Sequence, residues 1–242
     1  MAKSSGLGQA LFVQGYDLST DASTLSGAGY TQEVLDTTGI DVSATERVAG
    51  RVDSTLVING WFDNADDKAH EAYKSLPRTD RVVTYQIGTA ITEPALFLNA
   101  KQSEYNVTNQ PGNALATQVS FASNASIDGD TGINFGVMLD AGATTYSSSS
   151  NGVTVDQGAG TTAGSVAALQ FVSGSSVSSF VVKVQHSTNG ASWSDLTTFS
   201  TISANTPTAE IKTSSGTVNR YVRLTTTLSG TNGKCQVSFN RL

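Results

Sequence analysis

The sequence predicts an all-β protein, and three observations carry that prediction. Apolar and polar residues alternate with a period of two, so that Phe180, Val182 and Val184 share one face of a strand. Runs of β-branched residues such as Thr225-Thr226-Thr227 favour the pleated conformation. Turn pairs such as Asn232-Gly233 separate the alternating segments. We therefore expect half-buried antiparallel strands, which are typical of sandwiches and barrels.

The same reasoning predicts strands along most of the chain. They lie near residues 9–16, 52–62, 83–87, 95–106, 117–122, 133–139, 166–173, 179–186, 195–202, 208–213, 218–227 and 235–241.

One segment has helical periodicity instead. Its apolar stripe predicts one flanking helix at about 64–76 and consists of Ala65, Ala69, Ala72, Tyr73 and Leu76. Asp63 or Asn64 is expected to cap its start, and Pro77 is expected to end it.

Charge and composition divide the chain near residue 148. Residues 1–150 carry 8 basic and 17 acidic residues, whereas residues 151–242 carry 6 and 3. A Gly/Ser-rich stretch lies at the same place. We predict an N-terminal β-sandwich or barrel at 1–148, with a long loop or arm at about 17–50, and a C-terminal β-sandwich at 149–242.

Composition excludes several classes of protein. The net charge of −6 and the absence of Lys/Arg blocks argue against a protein that clamps nucleic-acid phosphates. No stretch approaches the roughly 18 consecutive apolar residues of a membrane span, and we expect no signal peptide in residues 1–6.

No cluster of residues indicates catalysis, a cofactor or a metal ion, and we predict none of the three. His70 and His186 lie far apart in the sequence, and Cys235 is the one cysteine. The Asp-Gly-Asp segment at 128–130 is interpreted as a tight turn rather than a calcium loop.

Four residues form a candidate glycan contact. Trp193 follows a strand that ends at His186, and Arg220 and Arg223 open a later strand, so that an exposed indole could stack on a sugar beside polar groups. The alternative is that Trp193 covers the edge of the sandwich core.

Ordered short motifs resemble major tail proteins of long non-contractile-tailed (siphovirus-type) actinobacterial phages. They are Gly15-Tyr16-Asp17-Leu18-Ser19, the segment from Leu35 to Asp41, the pair Glu46-Arg47, and Leu76-Pro77-Arg78-Thr79-Asp80. The segments from Val184 to Trp193 and from Arg220 to Arg223 resemble galactose-binding-like or immunoglobulin-like sandwiches of phage structural proteins.

The resemblance implies a virion protein that assembles, in the bacterial host cytoplasm, into stacked hexameric rings forming the phage tail tube. The implied partners are other copies of the chain, a tape-measure protein in the lumen, and tail terminator and baseplate or tip proteins. DNA passes through without specific binding, no membrane insertion is expected, and host surface glycans are candidates for the outer sandwich. The alternatives are a capsid decoration protein and a carbohydrate-binding module. The acidic bias of residues 1–150 is either a solvated face or a surface that repels DNA.

Overall fold

The computed structural model describes residues 8–76, 78–109, 112–124 and 132–242. Three sequence predictions concern residues outside these ranges: the absence of a signal peptide at 1–6, the helix stop at Pro77, and the turn at 128–130.

Strands dominate the described chain, which confirms the all-β prediction. In chain order the elements are β1 (Ala10–Val13), β2 (Tyr16–Asp17), β3 (Ala22–Ser26), β4 (Thr31–Asp36), β5 (Arg47–Asp53), β6 (Thr55–Trp61), α1 (Ala69–Tyr73), β7 (Arg81–Gln86), β8 (Pro94–Thr108), β9 (Ala116–Ser123), β10 (Ile133–Tyr146), β11 (Ser150–Asn151), β12 (Val155–Asp156), β13 (Ser165–Ser173), β14 (Ser176–Ser187), β15 (Ser194–Thr198), β16 (Thr208–Ser214), β17 (Tyr221–Thr231) and β18 (Gly233–Arg241).

The strands form three antiparallel sheets. The largest runs in the order β16-β13-β18-β10-β8-β7-β1-β2, and β9, β6 and β3 extend it from the second half of β8. A second sheet has the order β11-β17-β14-β15, with β12 also paired to β17. The third sheet contains β4 and β5 alone.

Two main cores lie on these sheets. The N-terminal core fills the space inside β1, β7, β8, β9, β6 and β3, with α1 packed on it, and centres on side chains such as Leu98 and Phe121. The C-terminal core lies between the second sheet and strands β10, β13 and β18, and contains Phe171, Phe180 and Phe239. Burial of apolar surface in these two cores stabilises the fold.

The large sheet runs through the predicted domain boundary. Strand β10 contributes Ile133 to the N-terminal core and Leu139 to the C-terminal core, and it pairs with both β8 and β18. The two cores therefore share strand β10, and the C-terminal core takes Leu139 and Tyr146 from the N-terminal side of residue 148. The division into two domains requires that each half of the chain folds independently, and it stays a prediction.

The helix is shorter than the predicted 64–76. Asp67 has a left-handed φ of 60°, which interrupts helical geometry before Lys68. The side chain of Asp63 bonds the nearby amide of Ala65, and the carboxylate of Asp21 accepts the helical amide of Ala69 at 3.1 Å. The predicted caps Asp63 and Asn64 consequently do not cap α1, because a residue distant in sequence supplies that acceptor.

The other end of α1 is held by a buried guanidinium. Arg81 donates to the carbonyl oxygens of Ala72 at 2.6 Å and Ser75 at 3.2 Å. These carbonyl groups lie at the C-terminal end of the helix, where no further turn supplies amide donors. The guanidinium of Arg81 takes the place of those donors. Two members of the predicted apolar stripe, Ala65 and Leu76, are exposed, whereas Ala69, Ala72 and Tyr73 are buried as predicted.

Strands β3, β4 and β5 occupy much of the range of about 17–50, for which the sequence predicts a long loop or arm. Most of the side chains of β4 and β5 are exposed, so the alternation that marks a half-buried strand is missing from the sequence.

Gln170 ties the two halves of the chain together. Its side-chain oxygen accepts the amide of Gly15 at 2.6 Å, and its nitrogen donates to Val82 O and Thr84 Oγ1, both at 3.0 Å. Gly15 has φ +89°, and a Cβ there would lie 2.3 Å from the backbone nitrogen of Thr208. Only glycine fits this close approach.

Replacing Gln170 by methionine is expected to lower the free energy of unfolding by about 2–4 kcal/mol, because buried donors and acceptors lose their partners. The matched control is Gln236→Met, since buried Gln236 bonds only Ser238 of its own strand. Urea denaturation of both variants measures the difference. Equal losses would show that the bonds of Gln170 to the N-terminal half add little.

Candidate functional site

The most distinctive surface of the molecule is the β4–β5 hairpin, which we call the assembly hairpin and define as residues 30–53. Thr31 pairs with Asp53 and Asp36 pairs with Arg47, with a bulge after Gln32. No other strand of the described chain pairs with either member of this hairpin. Two strands alone are marginally stable in water, so the hairpin lacks the support that strands normally have.

Apolar side chains on the assembly hairpin face solvent. Val34 is 61% exposed and Val48 is 53% exposed, and Leu35 is also open to water. Tyr30, Ile40 and Val42 add to this surface. Exposed apolar residues concentrated in one element are typical of a surface that another protein covers.

Local bonds give the hairpin a defined shape despite its exposure. At the tip, Asp36 Oδ1 accepts from the amide and the hydroxyl of Thr38, and these bonds hold the pKa of Asp36 below its usual value. At the base, Tyr30 makes an edge contact with Phe135 at 6.4 Å between ring centres. Ser54 donates to the carbonyl of Gly29. These contacts connect the base of the hairpin to the body of the protein.

The structure brings together two of the four predicted glycan-contact residues. The guanidinium of Arg223 lies 4.3 Å from the ring centre of Trp193 on the outer side of the second sheet. Two nitrogens of Arg223 also donate to Gln185 Oε1, at 3.0 and 2.8 Å. Arg223 thus covers one face of the indole ring.

The other two residues have different partners. Arg220 forms a two-point ion pair with Asp156, at 2.7 and 2.6 Å, and hydrogen bonds from Arg220 lower the pKa of Asp156 to about 2. His186 accepts the amide of Asn219 at its Nδ1, and burial lowers its pKa. The glycan site with its four residues stays a prediction.

A buried polar group lies where β10 meets the C-terminal core. The carboxylate of Asp140 accepts from the hydroxyl of Tyr146 and from the amide of Gly142. Burial raises the pKa of Asp140 above its usual value, although both hydrogen bonds and nearby Lys234 act in the opposite direction. Cys235, also in this core, is fully buried, and burial raises the pKa of its thiol.

The raised pKa of Asp140 predicts a pH dependence of stability. Because the folded state holds the proton of Asp140 more tightly than the unfolded state, the stability that Asp140 contributes is fully present below the ordinary aspartate pKa of about 3.9. It falls as the pH rises through the raised pKa. In Asp140→Asn this contribution is absent, so wild type should lose stability relative to the variant over that interval. Urea denaturation at successive pH values tests this, and parallel curves would contradict it.

The two histidines lie in separate surroundings. His70 Nδ1 contacts the hydroxyl of Tyr105 at 3.0 Å beside the N-terminal core, while His186 lies on β14. In the described ranges, no three His, Cys, Asp or Glu side chains are grouped so that they could hold a metal ion. None of the helices in those ranges has the length and apolar character of a membrane span.

Comparison with known proteins gives a likeness of fold alone. No protein-family model matches the chain, and no curated protein matches its sequence. A chain from the virion of a native gene transfer agent particle aligns with a TM-score of 0.44 and 11% identity, over 55% of this chain and 98% of that chain. The Dit protein of SPP1, described as a hub adsorption apparatus of phages that infect Gram-positive bacteria, aligns with a TM-score of 0.36 and 12% identity, over 96% and 98%. A chain of the sheath–tube complex of the PVC extracellular contractile injection system aligns with a TM-score of 0.42 and 8% identity, over 55% and 90%.

Sequence reasoning missed the assembly hairpin as a structured element. The available signal was the pair of short β-prone segments around Val34 and Val48, separated by a segment that contains Gly39. Each segment carries charges such as Glu33 and Arg51, which lowers its apparent strand character.

Proposed function

We propose that this protein is a structural subunit of a phage tail, which self-assembles into stacked rings that form the tail tube through which DNA is delivered. The observation that carries the proposal is the assembly hairpin, a two-stranded projection whose apolar side chains lie in water. Its exposure is a cost for a monomer and a source of binding energy for an assembly.

A copy of the same chain is the partner that the surface favours. The body of the chain has its own exposed apolar side chains, including Trp61, Leu76 and Leu115. When one surface of a subunit binds a different surface of the next subunit, the contact repeats and produces closed rings or filaments. A hairpin that projects from one copy onto the body of another is a contact of this kind.

Hexameric rings, a tape-measure protein in the lumen and contacts with terminator and baseplate proteins belong to the same proposal. They follow from the resemblance of the sequence motifs to major tail proteins. The C-terminal sandwich is assigned to the outside of the tube, and the chain is assigned a structural role without catalysis.

Electron microscopy of the purified protein at high concentration tests the proposal. We expect hollow tubes or rings, and mass photometry should show ring-sized particles at intermediate concentration. Dispersed monomers at every concentration, together with phage tails that lack the protein, would overturn it. Binding of the monomer to assembled capsids instead would favour a decoration protein.

A carbohydrate-binding role for the C-terminal sandwich is the second candidate. The Trp193–Arg223 pair on the outer sheet favours it, because stacked Arg and aromatic groups offer donors beside an apolar face. A glycan array should then show binding that Trp193→Ala abolishes and that Thr227→Ala, on the exposed part of β17, leaves intact. No binding by wild type removes this candidate.

A further inference from the structure

Two long polar side chains are buried between α1 and the large sheet. Arg81 lies on β7 and Gln102 lies on β8, and each residue is 6% exposed. Arg81 pairs in register with Ala100, and Gln102 is two residues farther along β8. Because side chains two residues apart leave the same face of a strand, Arg81 and Gln102 share the face on which α1 packs.

Both side chains bind the C-terminal end of α1. Arg81 donates from Nη1 to the carbonyl oxygen of Ala72 at 2.6 Å, and Gln102 donates from Nε2 to the carbonyl oxygen of Tyr73 at 2.8 Å. Ala72 and Tyr73 are consecutive in the helix. The guanidinium and the carboxamide therefore lie close together at one helix end.

Each of these two groups has one polar atom that is not used. Arg81 Nε and Gln102 Oε1 are buried, and neither has a hydrogen-bond partner among the described residues. The first is a donor and the second is an acceptor. A buried polar atom without a partner destabilises the folded state, so native structures usually satisfy it with protein or with ordered water. A molecule that accepts one hydrogen bond and donates another would satisfy both atoms.

The charges around these atoms favour a neutral molecule. Arg81 belongs to none of the ion pairs formed by the described residues, and burial lowers the pKa of its guanidinium. The carbonyl groups at the end of α1 and the oxygen of Gln102 disfavour an anion, because they carry partial negative charge. The guanidinium disfavours a second cation.

We propose that one buried water molecule binds at the C-terminal end of α1, where it accepts a hydrogen bond from Arg81 Nε and donates one to Gln102 Oε1. Buried waters of globular proteins typically bond polar groups that would otherwise lack partners. This inference goes beyond the proposed function and does not depend on it.

The water completes the contacts that hold α1 in place. A helix of five residues is too short to persist in water by itself. The carboxylate of Asp21 accepts the amide of Ala69 at its start, and Arg81 and Gln102 bind its end. By joining Arg81 to Gln102, the water links β7 and β8 beneath the helix into one polar network.

The C-terminal half supplies a matched control. Arg223 Nε donates directly to Gln185 Oε1 at 3.0 Å on the outer side of the second sheet. The same two chemical groups thus meet there without an intervening molecule. The two arginines differ in whether a buried water accepts from Nε.

Nuclear magnetic resonance of the wild-type protein, with ¹⁵N in its arginines, tests the proposal. The Nε–H signal of Arg81 should show nuclear Overhauser effects to water whose laboratory-frame and rotating-frame values have opposite signs, as a long-lived bound water gives. The Nε–H signal of Arg223 should not. A crystal structure should place one water at about 2.7–3.2 Å from both Arg81 Nε and Gln102 Oε1. No long-lived water at Arg81, or a direct bond between Arg81 and Gln102, would overturn the proposal.

A substitution separates the water from the other contacts of Arg81. Gln102→Met removes the acceptor and keeps a side chain of similar length, so the water signal at Arg81 should be lost and the urea midpoint should fall. Gln185→Met, the control, should leave the water signal at Arg81 unchanged. An undiminished signal in folded Gln102→Met would contradict the assignment of Gln102 as a partner. If Gln102→Met does not fold, the two measurements on wild type decide the question alone.

Discussion

A chain in which Val34 and Leu35 are both replaced by serine will stay folded and will fail to form tubes. Both side chains are exposed in the monomer, so the free energy of unfolding should change by no more than about 0.5 kcal/mol for each. Burial of an aliphatic side chain contributes about 1.5–3 kcal/mol. Losing two such contacts per subunit should raise the concentration needed for assembly by roughly a hundredfold or more.

Sedimentation and electron microscopy across a concentration series measure this shift. Val153→Ser is the matched control, because Val153 is also strongly exposed but lies outside the assembly hairpin. The control should assemble like wild type. Tubes of normal yield from the double variant would contradict the proposed role of the hairpin.

Cutting the chain after residue 148 should prevent either fragment from folding alone. Strand β10 would lose β18, its partner on one side, and Leu139 and Tyr146 would lose the core in which they are buried. The fragment 149–242 would keep its second sheet but lose β10 from its sandwich. We expect both fragments to be insoluble, or to unfold without a cooperative transition.

Co-expression of the two fragments distinguishes a loss of folding caused by missing partner strands from a loss caused by the break in the chain itself. If the two cores are coupled only through strand pairing, fragments made together should associate and recover cooperative unfolding. Circular dichroism and nuclear magnetic resonance of each fragment alone provide the comparison. A soluble, cooperatively unfolding fragment 1–148 would instead support two independent domains.

Local pattern predicted much of this fold because period-two alternation depends only on neighbouring residues. Phe180, Val182 and Val184 are buried as the alternation predicts, and so are Cys235, Val237 and Phe239. The pairing between strands is a different kind of information. Nothing local to β10 indicates that it lies beside β18, which starts nearly ninety residues after β10 ends.

The features that the sequence did not predict also depend on contacts between residues distant in the chain, or on the absence of such contacts. The assembly hairpin has no buried face within the chain, so no alternation marks it. The helix is cut short by the conformation of Asp67 and is anchored by Asp21, whose contact with Ala69 depends on the tertiary fold. The pairing of Asn59 with Gln118 in neighbouring strands depends on register, which a single strand does not specify.

Strand β10 also has a mechanical consequence. It is a strand of 14 residues that serves both cores, and it pairs with β18 from Val137 to Tyr146, with register shifts after Met138 and after Ala141. A force that pulls along these strands acts on the backbone hydrogen bonds between β10 and β18 together, in shear. A flexible linker between the two halves would instead reorient under the same force. The C-terminal sandwich is therefore attached rigidly to the N-terminal half of the chain. If the proposed tube forms, images of it should show the sandwich at one angle to the tube axis and as sharply defined as the tube wall.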